Sequence, residues 1–370
     1  MQFSCEKYQL SLAVATAGRA AASKSPIPAL EGLLIEATSN VRVTGYDLKK
    51  GIYTTFDADV TIPGNIVISS KLFGDIVRKL PDGIVQITSD EYNMVNIKCG
   101  NANFNIMGMS SEDYPELPTL DACDTVSVTQ DNFAAMVAET SFAISNNESR
   151  PVYTGALLEV ENNVLTMVAV DGYRMALRKE EVESCDVESC RFIVPGNSLL
   201  DVQKICMTPG DEVKISVGSK HISFSVGDTV LISRRLEGEF LNYKKTVPSE
   251  FKYSIKALRS DIIRCADRVS LIIDDRSKNP LRCTFSDGEL TIDCATPIGR
   301  AVDSCGVDGN GGNLLIGFNN SYLLDALKAA PAETLSINLN SGSSPCVLLP
   351  EDGSDSFLYM ILPVRLHSAD

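Results

Sequence analysis

The chain is 370 residues long, 44% hydrophobic and 22% charged, with a formal net charge of −15. That length is enough for two or three independent cores, and no apolar run reaches the ~18 residues a membrane-spanning helix needs. The acidic balance argues against tight gripping of nucleic acid, which rests on Lys and Arg, and the eleven scattered cysteines lack the paired spacing of a zinc site. They read as free thiols of a reducing compartment. The first residues, MQFSCEKYQL, have no basic-then-apolar layout, so the expected location is cytoplasmic.

In chain order, residues 1–18 (MQFSCEKYQLSLAVATAG) predict a strand running into a helix. Residues 30–47 (LEGLLIEATSNVRVTGYD) predict a hairpin of alternating strands about an Asn turn. Residues 67–88 (VISSKLFGDIVRKLPDGIVQIT) read as strand, Ser69 cap, short amphipathic helix, Pro-Gly break and strand. An alternating strand at 101–109 (NANFNIMGM) and a Tyr-Pro turn at 110–118 (SSEDYPELP) complete the series.

The series then begins again. Residues 124–141 repeat the strand and helix, 153–174 the hairpin, and 192–216 the strand, Asn197 cap, helix and strand. His221 falls on an alternating strand, GSKHISFSV, and residues 236–248 (LEGEFLNYKKTVP) stand where the Tyr-Pro turn stood. A third pass gives a strand and helix at 251–269, a hairpin with an Asp-Gly turn at 279–300, and a strand, Asn319 cap, helix and strand at 314–338. Asp75, Asp201 and Asp325 hold the same place in each helix, 126 and 124 residues apart, and Tyr114 and Phe240 are also 126 apart. Gly309–Gly312 reads as a further hairpin turn, not a phosphate cradle. Self-similarity at this period predicts an α+β protein of three tandem similar domains, each with two helices packed on antiparallel sheet. The boundaries fall at residues 1–121, 122–249 and 250–370.

Catalytic material is thin. There are two histidines, His221 and His367, and no HExxH, Walker loop or dinucleotide-binding glycine pattern. Two alternatives stay open on the residues alone. One is a cytosolic thiol-dependent hydrolase, weakened by the lack of a plausible His partner for any cysteine. The other is a scaffold of tandem repeats that binds no DNA.

The three units, with VAVDGYRMA (168–176), EGEFLNYKKTVP (237–248), FNNSYLLDAL (318–327) and the closing MILPVRL (360–366) in order, resemble the bacterial DNA polymerase III beta subunit family, the sliding clamps. The likeness covers the whole chain. It implies the DNA clamp fold and a head-to-tail homodimer, a six-domain ring around duplex DNA. It also implies a non-catalytic processivity factor without cofactor or metal, whose partners are a clamp loader, the replicative polymerase and repair proteins.

Residue by residue, the resemblance implies a peptide-binding pocket between the second and third domains. From the second come Tyr153, Val170, Gly172, Tyr173, Arg174, Met175, Leu241, Lys245 and Thr246. From the third come Asn319, Tyr322, Cys346, Met360, Leu362, Pro363, Val364 and Arg365. Aliphatic and Met surfaces with a Tyr gate suit a short peptide of a Gln-Leu-x-Leu-Phe kind. It implies DNA contacts at Lys24, Asn147, Arg150 and Lys204, and a subunit interface at Phe104, Ile272 and Ile273. Further candidates for a basic lining are Lys7, Arg19, Arg78, Lys79, Lys256, Arg259, Arg264, Arg268 and Lys328. The chain departs from the family at Tyr173, where His is frequent, at Lys245, where Arg is frequent, and at Asn197, where a basic residue is frequent. It also runs on for four residues, His367 to Asp370, past the usual ending.

Overall fold

A computed structural model describes residues 1–121, 124–274 and 279–366. Six α-helices are found among them: α1 (Lys7–Ala17), α2 (Ser70–Lys79), α3 (Gln130–Thr140), α4 (Gly196–Ile205), α5 (Arg259–Ser270) and α6 (Asn320–Ala329). That is two per expected repeat. Each buries one apolar stripe: Leu10, Val14 and Ala17 on α1, Phe73, Ile76 and Val77 on α2, Ile262, Ala266 and Val269 on α5. Spacings of three and four residues place each set on one helical face. Of the three expected caps, Asn319 alone accepts a backbone bond, from the Tyr322 amide at 3.2 Å. Ser69 makes no capping bond, and Asn197 lies inside α4 rather than before it, because that helix already begins at Gly196.

The chain forms two compact units. The first holds residues 1–134, 183–187 and 197–235. It contains a five-stranded sheet in the order Asp59–Ile62, Gln2–Glu6, Ile84–Ser89, Met94–Cys99, Ala102–Met107. It also contains a nine-stranded sheet, within which strand Lys50–Phe56 of the first repeat pairs antiparallel with Thr229–Arg234 of the second, Ile52 opposite Leu231. The core over the first repeat gathers Phe3, Leu10, Leu33, Ile35, Phe73, Ile87 and Ile97. A satellite cluster joins Tyr46, Val67 and Tyr114, whose hydroxyl donates to the Thr44 carbonyl at 3.2 Å.

The second unit holds residues 135–182, 188–196 and 236–370. Its ten-stranded sheet repeats the device: strand Arg174–Glu181 of the second repeat pairs antiparallel with Phe357–Ile361 of the third, Ala176 opposite Tyr359. Both junctions turn a sheet edge, which would otherwise stand open to a foreign strand, into an interior position.

One expected hairpin is corrected. Asp287 and Gly288 do not turn the chain; they lie within the long strand Leu281–Thr296, and the reversal comes at residues 297–298 before the partner strand Gly299–Phe318. Gly309–Gly312 is likewise inside that partner strand and not a turn. Phe285 faces Leu314 and Glu289 faces Gly306, so residues 307–313 bulge opposite 286–288. The positive φ angles of Gly288, Gly309, Gly312 and Asn313 absorb this mismatch.

Candidate functional site

The second unit assembles most of the expected pocket residues around one turn. In strand Val164–Val170 and strand Arg174–Glu181, alternation puts Val170, Met175 and Leu177 into a core with Leu157, Phe240 and Met360. The turn between them is held by Asp171, whose Oδ1 accepts from the amides of Tyr173 (2.8 Å) and Arg174 (3.0 Å). Gly172 supplies the left-handed residue, φ +96°, with nothing within 4 Å of where a Cβ would stand. The turn therefore exposes the backbone and the Tyr173 ring, 61% accessible, beside buried aliphatic side chains.

Arg174 is fixed at both ends. Its Nε donates to Asp171 Oδ2 at 3.0 Å and its Nη1 to Asp325 Oδ2 on α6 at 2.6 Å. The guanidinium lies 4.5 Å over the Tyr322 ring, and Tyr322 stacks on Tyr173 with centroids 5.8 Å apart. Arg174 is thus a structural fork and not a free donor for an incoming chain. Asn319 is similarly engaged, its Oδ1 capping α6. The Tyr173–Tyr322 stack is the feature that fits a gate. Parting such a pair costs on the order of 1 kcal/mol.

The C-terminal segment passes from core to surface across this place. Met360 and Ile361 are buried, Met360 opposite Met175 and Ile361 opposite Arg174. Leu362 donates its amide to the Tyr173 carbonyl at 2.9 Å, and Val364 to the Gly317 carbonyl at 2.8 Å. Leu362 and Pro363 are half-buried, Val364 and Arg365 exposed. At Gly317 a Cβ would meet Val364 O and Leu366 Cδ2, both at 2.7 Å, so glycine is what lets the tail lie so close. Tyr153 packs edge-on against Phe240 at 5.5 Å, and Leu241 borders the same cluster. Lys245 and Thr246 are exposed at the 3-10 turn Tyr243–Lys245. Cys346 does not join the surface: it is 1% accessible and lines a small cavity with Cys283, Phe285 and Leu348. Residues 367–370, the extension, lie outside the described residues.

The expected DNA contacts are all exposed. Lys24 follows the 3-10 turn Gly18–Ala20, and Lys204 sits in the last turn of α4. Asn147 forms an Asx turn with the Ser149 amide, and Arg150 precedes the 3-10 turn Pro151–Thr154. Among the described residues no ion pair engages Lys24, Arg150 or Lys204. Most of the other lining candidates are met by carboxylates: Lys7 by Asp82, Arg19 by Asp201, Arg78 by Asp75, Lys256 by Glu351, Arg264 by Asp261, Arg268 by Asp303 and Lys328 by Asp267. Lys79 is exposed, and Arg259 donates to the carbonyls of Leu327 and Lys328.

Of the expected interface residues, Phe104 is 36% accessible on Ala102–Met107, the last strand of the five-stranded sheet. Ile272 and Ile273 are half-buried after α5, next to the exposed Leu271. The charged stretch that follows, 275–278, is outside the described residues. No sequence signal marked the pairing of Lys50 with Asp201 or of Arg174 with Asp325.

The thiols oppose the hydrolase alternative. Burial pushes Cys5, Cys206, Cys305 and Cys346 up to about 12, whereas a nucleophilic cysteine needs the thiolate stabilised. No disulfide joins any of the ten described cysteines. No helix among the described residues is long and apolar enough to cross a membrane.

Comparison with known proteins agrees along the whole chain. Residues 1–118, 127–242 and 244–365 match the models of the N-terminal, central and C-terminal domains of the DNA polymerase III beta subunit. The beta sliding clamp of Staphylococcus epidermidis is 29% identical over 360 residues, covering 94% of this chain and 95% of that protein. The sliding clamp of Bacillus subtilis superposes with a TM-score of 0.94 at 27% identity, over 99% of this chain and all of that one. That of Pseudomonas aeruginosa bound to griselimycin gives 0.93 at 26% identity, over 99% of this chain and all of that one.

Proposed function

The chain belongs to the DNA polymerase III beta subunit family, and from that premise we propose that it is a sliding clamp. Two copies close head to tail into a ring around duplex DNA in the cytoplasm, with domains at 1–121, 122–249 and 250–370. It tethers the replicative polymerase and repair proteins and performs no chemistry of its own. The observation that carries this reading is the repeated junction. Successive repeats join by adding a terminal strand of one to an edge strand of the one before. A contact of that heterologous kind either closes into a ring or runs on as a filament.

A ring need not grip. With most of the further lining candidates matched by carboxylates, the protein has little charge for tight phosphate binding, and a topological link has no counterion cost. Lys24, Asn147, Arg150 and Lys204 are the residues proposed to touch the duplex. The site built on Tyr153, Val170, Tyr173, Met175, Tyr322, Met360, Leu362 and Pro363 is proposed to take the apolar anchors of partner peptides, with the two stacked tyrosines moving apart to admit them.

Loading onto a nicked circular plasmid followed by gel filtration tests the reading. A clamp is retained on the circle and lost after a restriction enzyme linearises it. Equal loss from both forms would overturn it.

A further inference from the structure

The turn of the peptide site has a counterpart 124 residues earlier, at the junction inside the first unit. Asp47 Oδ1 accepts from the amides of Lys49 and Lys50, as Asp171 Oδ1 does from those of Tyr173 and Arg174. The cation closing each turn meets an aspartate 151 residues further on. Lys50 Nζ lies 2.5 Å from Asp201 Oδ2 on α4, and Arg174 Nη1 lies 2.6 Å from Asp325 Oδ2 on α6. The residues between differ. Where the later turn carries Gly172 and Tyr173, the earlier one carries Leu48 and Lys49. Leu48 has φ 71°, a left-handed conformation that suits glycine and strains a bulky residue, and its side chain is 50% accessible. Strain of this kind concentrates at surfaces that bind or switch.

The surroundings of Leu48 are basic. Lys50 and Ser233 turn toward α4, where they meet Asp201 and Ser198, so alternation sends Lys49 and Arg234 to the opposite face of the sheet. The Arg234 amide donates to the Lys49 carbonyl at 2.9 Å, and Arg234 lies opposite His221, which sets Lys49, Arg234 and His221 in one row. The Arg235 amide donates to the Lys220 carbonyl and brings Lys220 alongside. Lys49, Lys220 and Arg234 are exposed, and among the described residues no ion pair engages them. The nearby carboxylates are otherwise occupied: Asp47 holds the turn, and Asp121 Oδ2 accepts from Ser219 Oγ at 3.2 Å. His221 registers the field, since burial first and then Arg234 and Lys220 hold its pKa below the ordinary value. Half-buried leucines flank the row. Leu117 lies where a Cβ on Gly51 would stand, and Leu120 Cγ is 3.7 Å from the Cβ position of Gly218.

We propose that this face docks an acidic segment of a protein partner, with carboxylates on Lys49, Lys220 and Arg234 and an apolar side chain against Leu48. Charge complementarity selects the occupant: these cations have no carboxylate of their own in a chain of net charge −15. Duplex DNA would satisfy the cations but offers no aliphatic side chain to Leu48, Leu117 and Leu120, whereas an acidic protein segment offers both. The surface goes beyond the peptide site, which takes apolar anchors and presents no such row of cations.

The test uses full-length protein and a short fluorescent peptide of glutamates around two leucines, read by anisotropy, with a lysine-for-glutamate peptide as control. The double variant Lys49→Glu, Arg234→Glu should weaken the acidic peptide about tenfold or more, and Leu48→Gly should weaken it several-fold. Because glycine relieves the left-handed strain, the Leu48→Gly melting midpoint should not fall, which separates lost docking from lost folding. With the acidic peptide bound, the His221 ring should titrate at higher pH by NMR than in the free protein. Wild type that binds both peptides equally, or variants that bind the acidic one as wild type does, would overturn the proposal. A charge-reversed variant that loses a duplex oligonucleotide but keeps the acidic peptide would overturn it too and assign the face to nucleic acid. Tyr322→Ala should leave the acidic peptide's affinity unchanged, so failure of the peptide-site reading and failure of this one are told apart.

Discussion

Arg174 satisfies two carboxylates and covers an aromatic face with one side chain only 11% accessible. Replacing it with Ala leaves Asp171 and Asp325 without their counter-charge and uncovers Tyr322. A stability loss of roughly 2–4 kcal/mol is expected, read as a lower unfolding midpoint, and Lys should recover little of it because an ammonium cannot fork. His221 provides a different readout. Burial first, then Arg234 and Lys220, hold its pKa below the ordinary value. The unfolded chain therefore takes up the proton first, and stability present above about pH 6.5 drains away as pH falls toward the folded pKa. A His221→Gln variant should lose less on acidification over that window than wild type; identical pH profiles of the melting midpoint would assign the loss elsewhere. At this scale the sequence was half legible. The Asp-turn-cation motif is local and visible in VDGYR, but its distant aspartate is fixed only by strand addition, which no local pattern encodes.

The C-terminal segment illustrates the next scale. Phe357–Ile361 lies inside the ten-stranded sheet, between Arg174–Glu181 and Cys346–Pro350, and not at its edge. The sheet therefore keeps its full width if the chain is cut after Leu362, and what is lost is the Val364–Gly317 hydrogen bond, Leu366 beside Gly317 and the exposed wall at Val364 and Arg365. Deleting residues 363–370 should lower the melting midpoint by only a few degrees, equivalent to about 1–2 kcal/mol. It should also abolish binding of a Gln-Leu-x-Leu-Phe peptide measured by fluorescence anisotropy. Tyr322→Ala should weaken the same peptide about tenfold or more. A truncation that unfolds the third repeat while Tyr322→Ala leaves affinity unchanged would place the peptide elsewhere. Elements were the most legible level of this chain, since all six helices and the first two hairpins follow from periodicity, although of the three expected caps Asn319 alone bonds to its helix. The third hairpin was misread because glycine at positive φ serves a turn and a bulge alike, and the paired strand decides between them. The middle repeat contributes to both compact units, a consequence of sheets continued between repeats and invisible in composition.

For the whole molecule the question is how an acidic protein stays on a polyanion. The net charge is −15, and local carboxylates answer most cations on the helices, so the charge proposed to face phosphate is confined to a few residues, Lys24, Arg150 and Lys204. Two copies then offer on the order of six contacts, and with each contributing about −0.9 to the slope, affinity for linear duplex should fall steeply with salt. Retention on a closed circle has no such term, because escape requires opening the ring and not merely breaking phosphate contacts. The triple variant Lys24→Ala, Arg150→Ala, Lys204→Ala should flatten the salt slope on linear DNA while leaving the lifetime on preloaded circles near that of wild type. If the triple variant leaves circles as fast as it leaves linear duplex, electrostatic grip and not enclosure holds the protein on DNA.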